Sequence, residues 1–450
     1  MGKYFGTDGF RGEAGVTLTA EQGFRIGRYL GYHLKQSGRE NVRVAIGKDT
    51  RLSSYMLEYA IASGLAASGV DVYLLHVTTT PCVSYVTVTD GFDCGVMITA
   101  SHNPYYDNGI KIIDSKGEKL GDCTAELIEE YIDGNTEEIP YATGTQIGKI
   151  HDYYSGRNRY IAYLISLASN SYKGLRIGID SANGSAFAIS RSVFSALGAQ
   201  IYAIGEEPSG TNVNVECGST HPEKLCALVR EKGLDIGFAF DGDADRCIAA
   251  DRNGNVIDGD KIMYVLASRL KRLGMLSNNT VVATVMSNGG FIRSAKKLGL
   301  SVETTQVGDR FVYERMQECG ASLGGEQSGH IIIRKYATTG DGILTAIMLT
   351  EELCDTKKSI GELTKDVLTY PQLTTSVSVK NKSAAINDSQ IKALTDRISS
   401  DIGECGRLIL RESGTEPKIR IMVETESDEL CRKYTNEIVS ILRAGGHTDE

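Results

Sequence analysis

The chain of 450 residues has no apolar segment behind a basic leader, and no apolar run approaches the ~18 residues of a membrane-spanning helix. A secreted or anchored protein is not expected, and a cytoplasmic one is. There is no excess of positive charge. The formal net charge of −9 argues against nucleic acid or acidic membranes as partners, so an anionic ligand must be held by a local pocket. Ten cysteines are scattered along the chain, with no CxxC pair and no Cys/His spacing suited to zinc. They read as reduced packing residues.

What is present is the composition of an ordinary globular protein, 41% apolar and 23% charged, in a chain long enough for roughly two to four domains. Three segments follow one plan, in which short β-rich runs alternate with amphipathic helical stretches. The first contains "VRVAIGKDTR", the helical "YMLEYAIASGLAASG", "VDVYLLHV" and "CGVMI". The second runs from "LRIGID" through "SAFAISRSVFSALGA", "QIYAIG" and "PEKLCALVREKG" to "DIGFAF". The third runs from "GDKIMYVLASRLKRLG" through "TVVATVMS", "FIRSAKKLG", "SVETTQV" and "FVYERMQECG" to "ASLGG". This alternation predicts α/β layers with mostly parallel sheets. Gly69, Gly198, Gly233, Gly299 and Gly320 stand where helix ends want a left-handed residue. The last stretch, from "TTSVSVK" to "DELCRKYTNEIVSILRA", reads as a small α+β domain. Boundaries are expected near 1–150, 151–255, 256–366 and 367–450.

Ligands collect at the carboxyl ends of strands in such folds. There the sequence places "TASHNP", "DGDADR" and "GEQSGH", with "RESGTEPKIR" between two strands of the last domain. Four polar loops on four domains suggest one shared cleft. In "DGDADR", Asp241, Asp243 and Asp245 can converge on one hard cation such as Mg²⁺, with Arg246 beside it to hold a phosphate. A calcium EF-hand is excluded, because its sixth and twelfth positions here are Arg246 and Arg252. Arg411, Ser413, Gly414, Thr415, Lys418 and Arg420 make a phosphate cradle of hydroxyls and cations. Glu326 and Ser328 suit sugar hydroxyls, and His330 is a group that can titrate near neutrality.

Ser101 and His102 raise the thought of a hydrolase nucleophile with its base. That reading wants a GxSxG elbow and a base brought in by the fold, and adjacent side chains on an extended segment point apart. A serine on which Mg²⁺ and cations converge is better suited to carry a phosphoryl group.

"FGTDGFRG", "TASHNPYYDNGIK", "FDGDADR", "GGEQSGH" and "RESGTEPKIR", in this order, resemble the α-D-phosphohexomutases. Within that family, "PSGTNVNVECGSTHPEKL", "TVMSNGGF" and "TTGDGILTAI" look like the phosphoglucosamine mutase branch. The resemblance implies four domains around a central cleft, three with related mixed or parallel sheets flanked by helices and a small C-terminal α+β domain. It implies a phosphosugar substrate, and an amino-sugar phosphate isomerised on the way to UDP-N-acetylglucosamine. It also implies Ser101 as a phosphoserine whose oxygen joins Asp241, Asp243 and Asp245 on Mg²⁺, and a sugar bisphosphate as primer. Arg246, Glu326, Ser328, His330, Arg411, Ser413, Gly414, Thr415 and Arg420 would bind substrate. Arg11, His102 and Lys111 match positions near the reacting oxygen, with Lys111 as general acid/base, its pKa lowered by surrounding cations. The alternatives are a phosphomannomutase or phosphoglucomutase of the same family, and a non-catalytic phosphosugar-binding protein. The sequence departs from the family at Phe10, where Val is common, at "HVTTTP", where "MPTP" is usual, and at Gly290, where Leu is common.

Overall fold

The computed structural model describes residues 3–6, 8–36, 38–39, 41–403, 406–412 and 418–448, with Asp122 described by its backbone alone. Four sheets lie along the chain, of seven, five, four and three strands. In the first, Arg43–Lys48 runs parallel to Asp71–Val77 on one side and to Cys94–Ile98 on the other. Cys94–Ile98 then turns back through a hairpin to pair antiparallel with Asp107–Asp114. The second sheet repeats this order. Arg176–Asp180 lies between parallel Gln200–Ile204 and Ile236–Phe240, and the latter returns antiparallel as Cys247–Ala250. In the third, Thr280–Thr284 lies between Ser301–Thr305 and Leu323–Gly325, and the latter returns as Ile331–Ile333.

The repeat expected from element order is thus a repeat of topology. The hairpin strands Cys94–Ile98, Ile236–Phe240 and Leu323–Gly325 are buried throughout, as strands covered on both faces should be. The five glycines expected at helix ends all have positive φ, from 61° to 94°. The first sheet takes in Ile150–Asp152, and the second takes in Val256–Ile257.

Helix Gly342–Thr356 is apolar around most of its circumference, and Gly342 to Leu353 are all buried. It packs on helix Gly259–Arg272 and on the strands of the second sheet, which explains why its sequence shows no polar face.

The chain divides into two compact units. One holds residues 1–286 and 300–365, the other 287–299 and 366–450. The second unit is built on the three-stranded antiparallel sheet of Gln372–Ser378, Lys418–Glu424 and Arg407–Glu412, with a core that includes Ile391, Ile398, Ile419, Ile421 and Ile438. Helix Gly289–Lys297 belongs to this unit although it lies far back in the sequence. Gly289 N–H donates to both carboxylate oxygens of Glu424, each at 3.1 Å, and Asn288 exchanges hydrogen bonds with the backbone of Tyr370. A Cβ on Gly290 would meet the Leu368 carbonyl, so a leucine has no room there. Nine cysteines are described and all are free. Six of them are buried, while Cys123 is exposed rather than packed. Cys405 lies outside the described residues. Among the described residues, no helix is long and apolar enough to cross a membrane.

Candidate active site

"TASHNP", "DGDADR" and "GEQSGH" each sit on a hairpin of the repeated plan. Ser101 lies in the loop after Cys94–Ile98, with left-handed backbone at φ 52°. Its N–H donates to Thr99 Oγ1 at 2.9 Å, and its carbonyl accepts from Arg51 Nη2 and Asn214 Nδ2, both at 2.9 Å. Thr99 and Arg51 are in turn held by the buried Asp49 carboxylate, which accepts from Thr99 Oγ1, Arg51 Nε and Ser54 Oγ. Asp49 and Arg51, in "GKDTR", thus fix the serine loop from behind. In the sequence that stretch reads only as the end of a strand.

Ser101 Oγ donates to Asp241 Oδ2 at 2.6 Å and lies 3.3 Å from His102 Nδ1. The expectation that neighbouring Ser101 and His102 side chains point apart is therefore overturned. The segment is not extended, and the left-handed serine brings the two side chains together. Burial, reinforced by the nearby charges of Arg246 and Arg11, pushes His102 down to about 3, so its imidazole is neutral near pH 7.

The loop between Ile236–Phe240 and Cys247–Ala250 carries the three aspartates, whose ligand atoms lie within 4.8 Å of one another. All three are buried. Asp243 Oδ1 and Asp245 Oδ1 have no hydrogen-bond partner, an arrangement that costs on the order of 1–3 kcal/mol per group unless a cation meets them. Burial, and then the charges of Asp245 and Asp243, hold Asp241 well above the usual carboxylate range. A divalent cation relieves both conditions, so the residues present fit Mg²⁺. The loop is locked into place: a Cβ on Gly242 would stand 2.5 Å from the Ser101 carbonyl oxygen, and Ser185 N–H donates to the Gly242 carbonyl at 2.8 Å. "TTGDG" supplies a floor. Gly340 lies under the His330 ring, Asp341 caps helix Gly342–Thr356, and Gly342 N–H donates to the Ala244 carbonyl at 3.0 Å. Thr80, the threonine before Pro81 that "HVTTTP" shares with "MPTP", donates from Oγ1 to Asp243 Oδ2 at 2.5 Å, and the residues that differ are not explained by this contact. Phe10 stacks on Tyr4 at 5.1 Å between ring centroids.

Lys111, opposite Met97 in the first hairpin, points Nζ to Asp243 Oδ2 at 2.9 Å, Asp245 Oδ2 at 3.2 Å and Asp8 Oδ1 at 3.5 Å. The cations expected around it are carboxylates instead. Burial alone would lower Lys111, but Asp243, Asp8 and Asp245 outweigh it and hold the ammonium well above the usual lysine range. Arg11 is bound to Asp8 and donates from Nη1 to Ala100 O at 3.2 Å and Asn103 Oδ1 at 3.1 Å. Nothing in the sequence alone singles out Asp8 within "FGTDGFRG".

In the third hairpin, Ser328 is exposed and Glu326 is buried, with Glu326 Oε1 accepting from Gly308 N–H at 3.1 Å. His330 departs from the expected sugar-facing place. It is buried, its Nε2 accepts from Gly340 N–H at 3.1 Å, and its Nδ1 faces Asp245 Oδ2 at 3.6 Å. The hydrogen bond from Gly340 fixes Nε2 as the acceptor, so Nδ1 carries the proton toward Asp245. Arg246 N–H donates to Asp241 Oδ1 at 3.2 Å, and its Nε lies 3.9 Å from Asp245 Oδ1.

In the second unit, Arg411 and Arg420 stand directly opposite each other on adjacent strands. Burial, and then the charge of Arg420, hold Arg411 below the usual guanidinium range. Like charges across a sheet repel, and an anion between them removes the repulsion. Ser413, Gly414 and Thr415 lie outside the described residues.

Models of the phosphoglucomutase/phosphomannomutase family match along the chain: alpha/beta/alpha domains I, II and III over residues 2–139, 158–254 and 258–370, and the C-terminal domain over 375–441. The phosphoglucosamine mutase of Lachnoclostridium phytofermentans is 53% identical over 447 residues, 99% of both chains. That of Lachnospira eligens is 52% identical over 99% of this chain and 100% of its own. A solved phosphoglucomutase/phosphomannomutase family protein from Burkholderia thailandensis superposes with a TM-score of 0.81 at 25% identity, covering 98% of this chain and 97% of the other. The chain belongs to the phosphoglucosamine mutase family, within the phosphohexomutase superfamily.

Proposed function

We propose that the protein interconverts glucosamine 6-phosphate and glucosamine 1-phosphate in the cytoplasm, supplying UDP-N-acetylglucosamine synthesis, through phosphorylated Ser101 and a bisphosphorylated sugar. The observation that carries the chemistry is Ser101 Oγ on Asp241 Oδ2 at 2.6 Å, beside two buried carboxylate oxygens without hydrogen-bond partners. The amino sugar is supported by full-length relatives at 45–53% identity that bear the phosphoglucosamine mutase name.

The sugar O1 attacks phosphorus while the bond from phosphorus to Ser101 Oγ breaks. His102, neutral and beside Oγ, accepts the O1 proton, and the Lys111 ammonium donates one to the released Oγ. The sugar bisphosphate turns over in the site. Ser101 Oγ then attacks the 6-phosphoryl group, returning its proton to Lys111 as His102 protonates O6, so the protein ends as it began. Asp241, Asp243, Asp245 and a phosphoserine oxygen would hold Mg²⁺, which would supply counter-charge to the phosphoryl oxygens. Arg11 orients the serine loop through Ala100 and Asn103, and Arg246 adds charge beside the aspartates. Glu326 and Ser328 read sugar hydroxyls. Arg411, Ser413, Gly414, Thr415 and Arg420 hold the phosphate that is not reacting, whichever it is. His330 holds Asp245 rather than the sugar. The four roles fall to segments 1–150, 151–255, 256–366 and 367–450 in turn. Loss of the bisphosphate leaves Ser101 unphosphorylated, so a sugar bisphosphate primes the enzyme.

³¹P NMR of the Mg²⁺-supplied, primed protein with glucosamine, mannose or glucose 6-phosphate tests the proposal. The 1-phosphate resonance should grow fastest from the amino sugar. A preference for a plain hexose moves the protein to the phosphomannomutase/phosphoglucomutase branch, and no conversion in any tube refutes catalysis.

A further inference from the structure

Arg11, which donates to the Ala100 carbonyl beside Ser101, and Lys111, which points into the aspartate loop, have long side chains rich in rotamers, so something must fix them. Both meet at one carboxylate, which shares Lys111 with the nearer Asp243 and Asp245 at 2.9 and 3.2 Å and is the one that also takes Arg11. Asp8 Oδ2 takes the Arg11 guanidinium, and Asp8 Oδ1 lies 3.5 Å from Lys111 Nζ. Asp8 is itself fixed by backbone packing. It precedes Gly9, whose φ is 86° and whose missing Cβ leaves room for the Ile110 carbonyl, one residue before Lys111. The contacts continue into the third segment. Asp8 Oδ1 accepts from Lys119 Nζ at 2.9 Å, and Lys119 Nζ also reaches Asp309 Oδ1 at 2.7 Å. Asp309 opens helix Asp309–Cys319 and follows Gly308, whose N–H is bound to Glu326. A continuous path therefore runs from the Glu326 hairpin through Asp309, Lys119 and Asp8 to Arg11 and Lys111.

We propose that Asp8 is a positioning residue that sets Arg11 and Lys111 toward Ser101, and that the Lys119–Asp309 pair holds Asp8 in register with the third segment. The assignment rests on the phosphoryl-transfer reading only for the reaction that Arg11 and Lys111 serve. Asp8 acts through those two cations, so its loss affects the chemical step more than substrate binding.

The test uses the full chain and whichever hexose 6-phosphate the parent converts, so a revised substrate preference leaves it intact. Asp8→Asn should lower kcat about 100-fold, the size of loss that a displacement of about 1 Å produces. KM should stay within about threefold of the parent. Lys119→Met should lower kcat about 10-fold in the parent but no more than about twofold in the Asp8→Asn background, because Lys119 acts through Asp8. Losses that multiply, or a raised KM with kcat kept, overturn the proposal. A crystal structure of Asp8→Asn, or of Lys119→Met should Asp8→Asn not fold, gives a reading independent of turnover. Arg11 and Lys111 displaced from their parent positions support the assignment, and both side chains unmoved overturn it.

Discussion

Thr80 and Asp341 each act by a single side chain. Thr80 Oγ1 donates to Asp243 Oδ2, which also receives Lys111 Nζ. Outer partners of this kind are worth about 10–100-fold in metal affinity, so Thr80→Val should raise by that factor the Mg²⁺ concentration giving half-maximal turnover. Asp341 is buried, accepts from Leu344 N–H and Tyr160 Oη, and is raised by burial to about 6. An unfolded aspartate titrates near ~3.9, so between about pH 4 and 6 the folded chain binds more protons than the unfolded one. The contribution of Asp341 to stability is therefore complete below about pH 4 and lost as pH rises through 6. Urea unfolding of parent and Asp341→Asn should show the parent losing stability relative to the variant across that window and running parallel above it. Ser101 and the three aspartates could be found from sequence because each motif is a short run with its own chemistry. Asp8, Asp49, Thr80 and Asp309 could not, because the contacts that tie them to the site, Asp8 with Lys119, Asp49 with Thr99, Thr80 with Asp243 and Asp309 with Lys119, join distant parts of the chain. The contact from Thr80 to Asp243 spans 163 positions, and that from Lys119 to Asp309 spans 190. The environment of Lys111 was misjudged for the same reason, since its carboxylates come from two other hairpins.

Among the elements, the strands and helices that a period of two or 3.6 marks clearly were legible, as at Asp71–Val77 and Gly259–Arg272. Helix Thr80–Thr89 was not, because its β-branched, mostly buried sequence reads as a strand. The hairpins were also hidden. A sequence shows that a polar loop follows a strand but not that the chain turns straight back, and it is the return strand that aims Lys111 at the aspartates. The hairpin loops are in backbone contact at Gly242. Gly242→Ala would drive a Cβ against the Ser101 carbonyl and displace the serine loop, so kcat should fall at least about 10-fold while the Mg²⁺ requirement persists. Steady-state kinetics at saturating Mg²⁺ checks this.

For the whole molecule, Arg411 and Arg420 belong to the second unit, while Ser101 and the three aspartates belong to the first. If Arg411 and Arg420 hold the phosphate that is not reacting, Arg411→Ala should raise KM about 10–100-fold for the 6-phosphate and the 1-phosphate alike, with kcat less affected. Forward and reverse assays compare the two, and an effect confined to one direction would refute a shared cradle. The outline of this unit was readable as a change in element pattern after residue 366, but its inclusion of Gly289–Lys297 was not, since nothing local marks that helix as a guest. That membership bears on how the chain is made. The helix leaves the ribosome early, yet Tyr370 and Glu424, which hold its first turn, are synthesised later. At elongation rates of about 5–20 residues per second the interval is on the order of ten seconds, during which Phe291 and Ala295, buried in the finished protein, have no permanent partner. A message broken shortly after codon 365 would therefore yield not a tidy three-domain fragment but a chain with an amphipathic helix whose apolar face is uncovered, a natural substrate for chaperones and proteases.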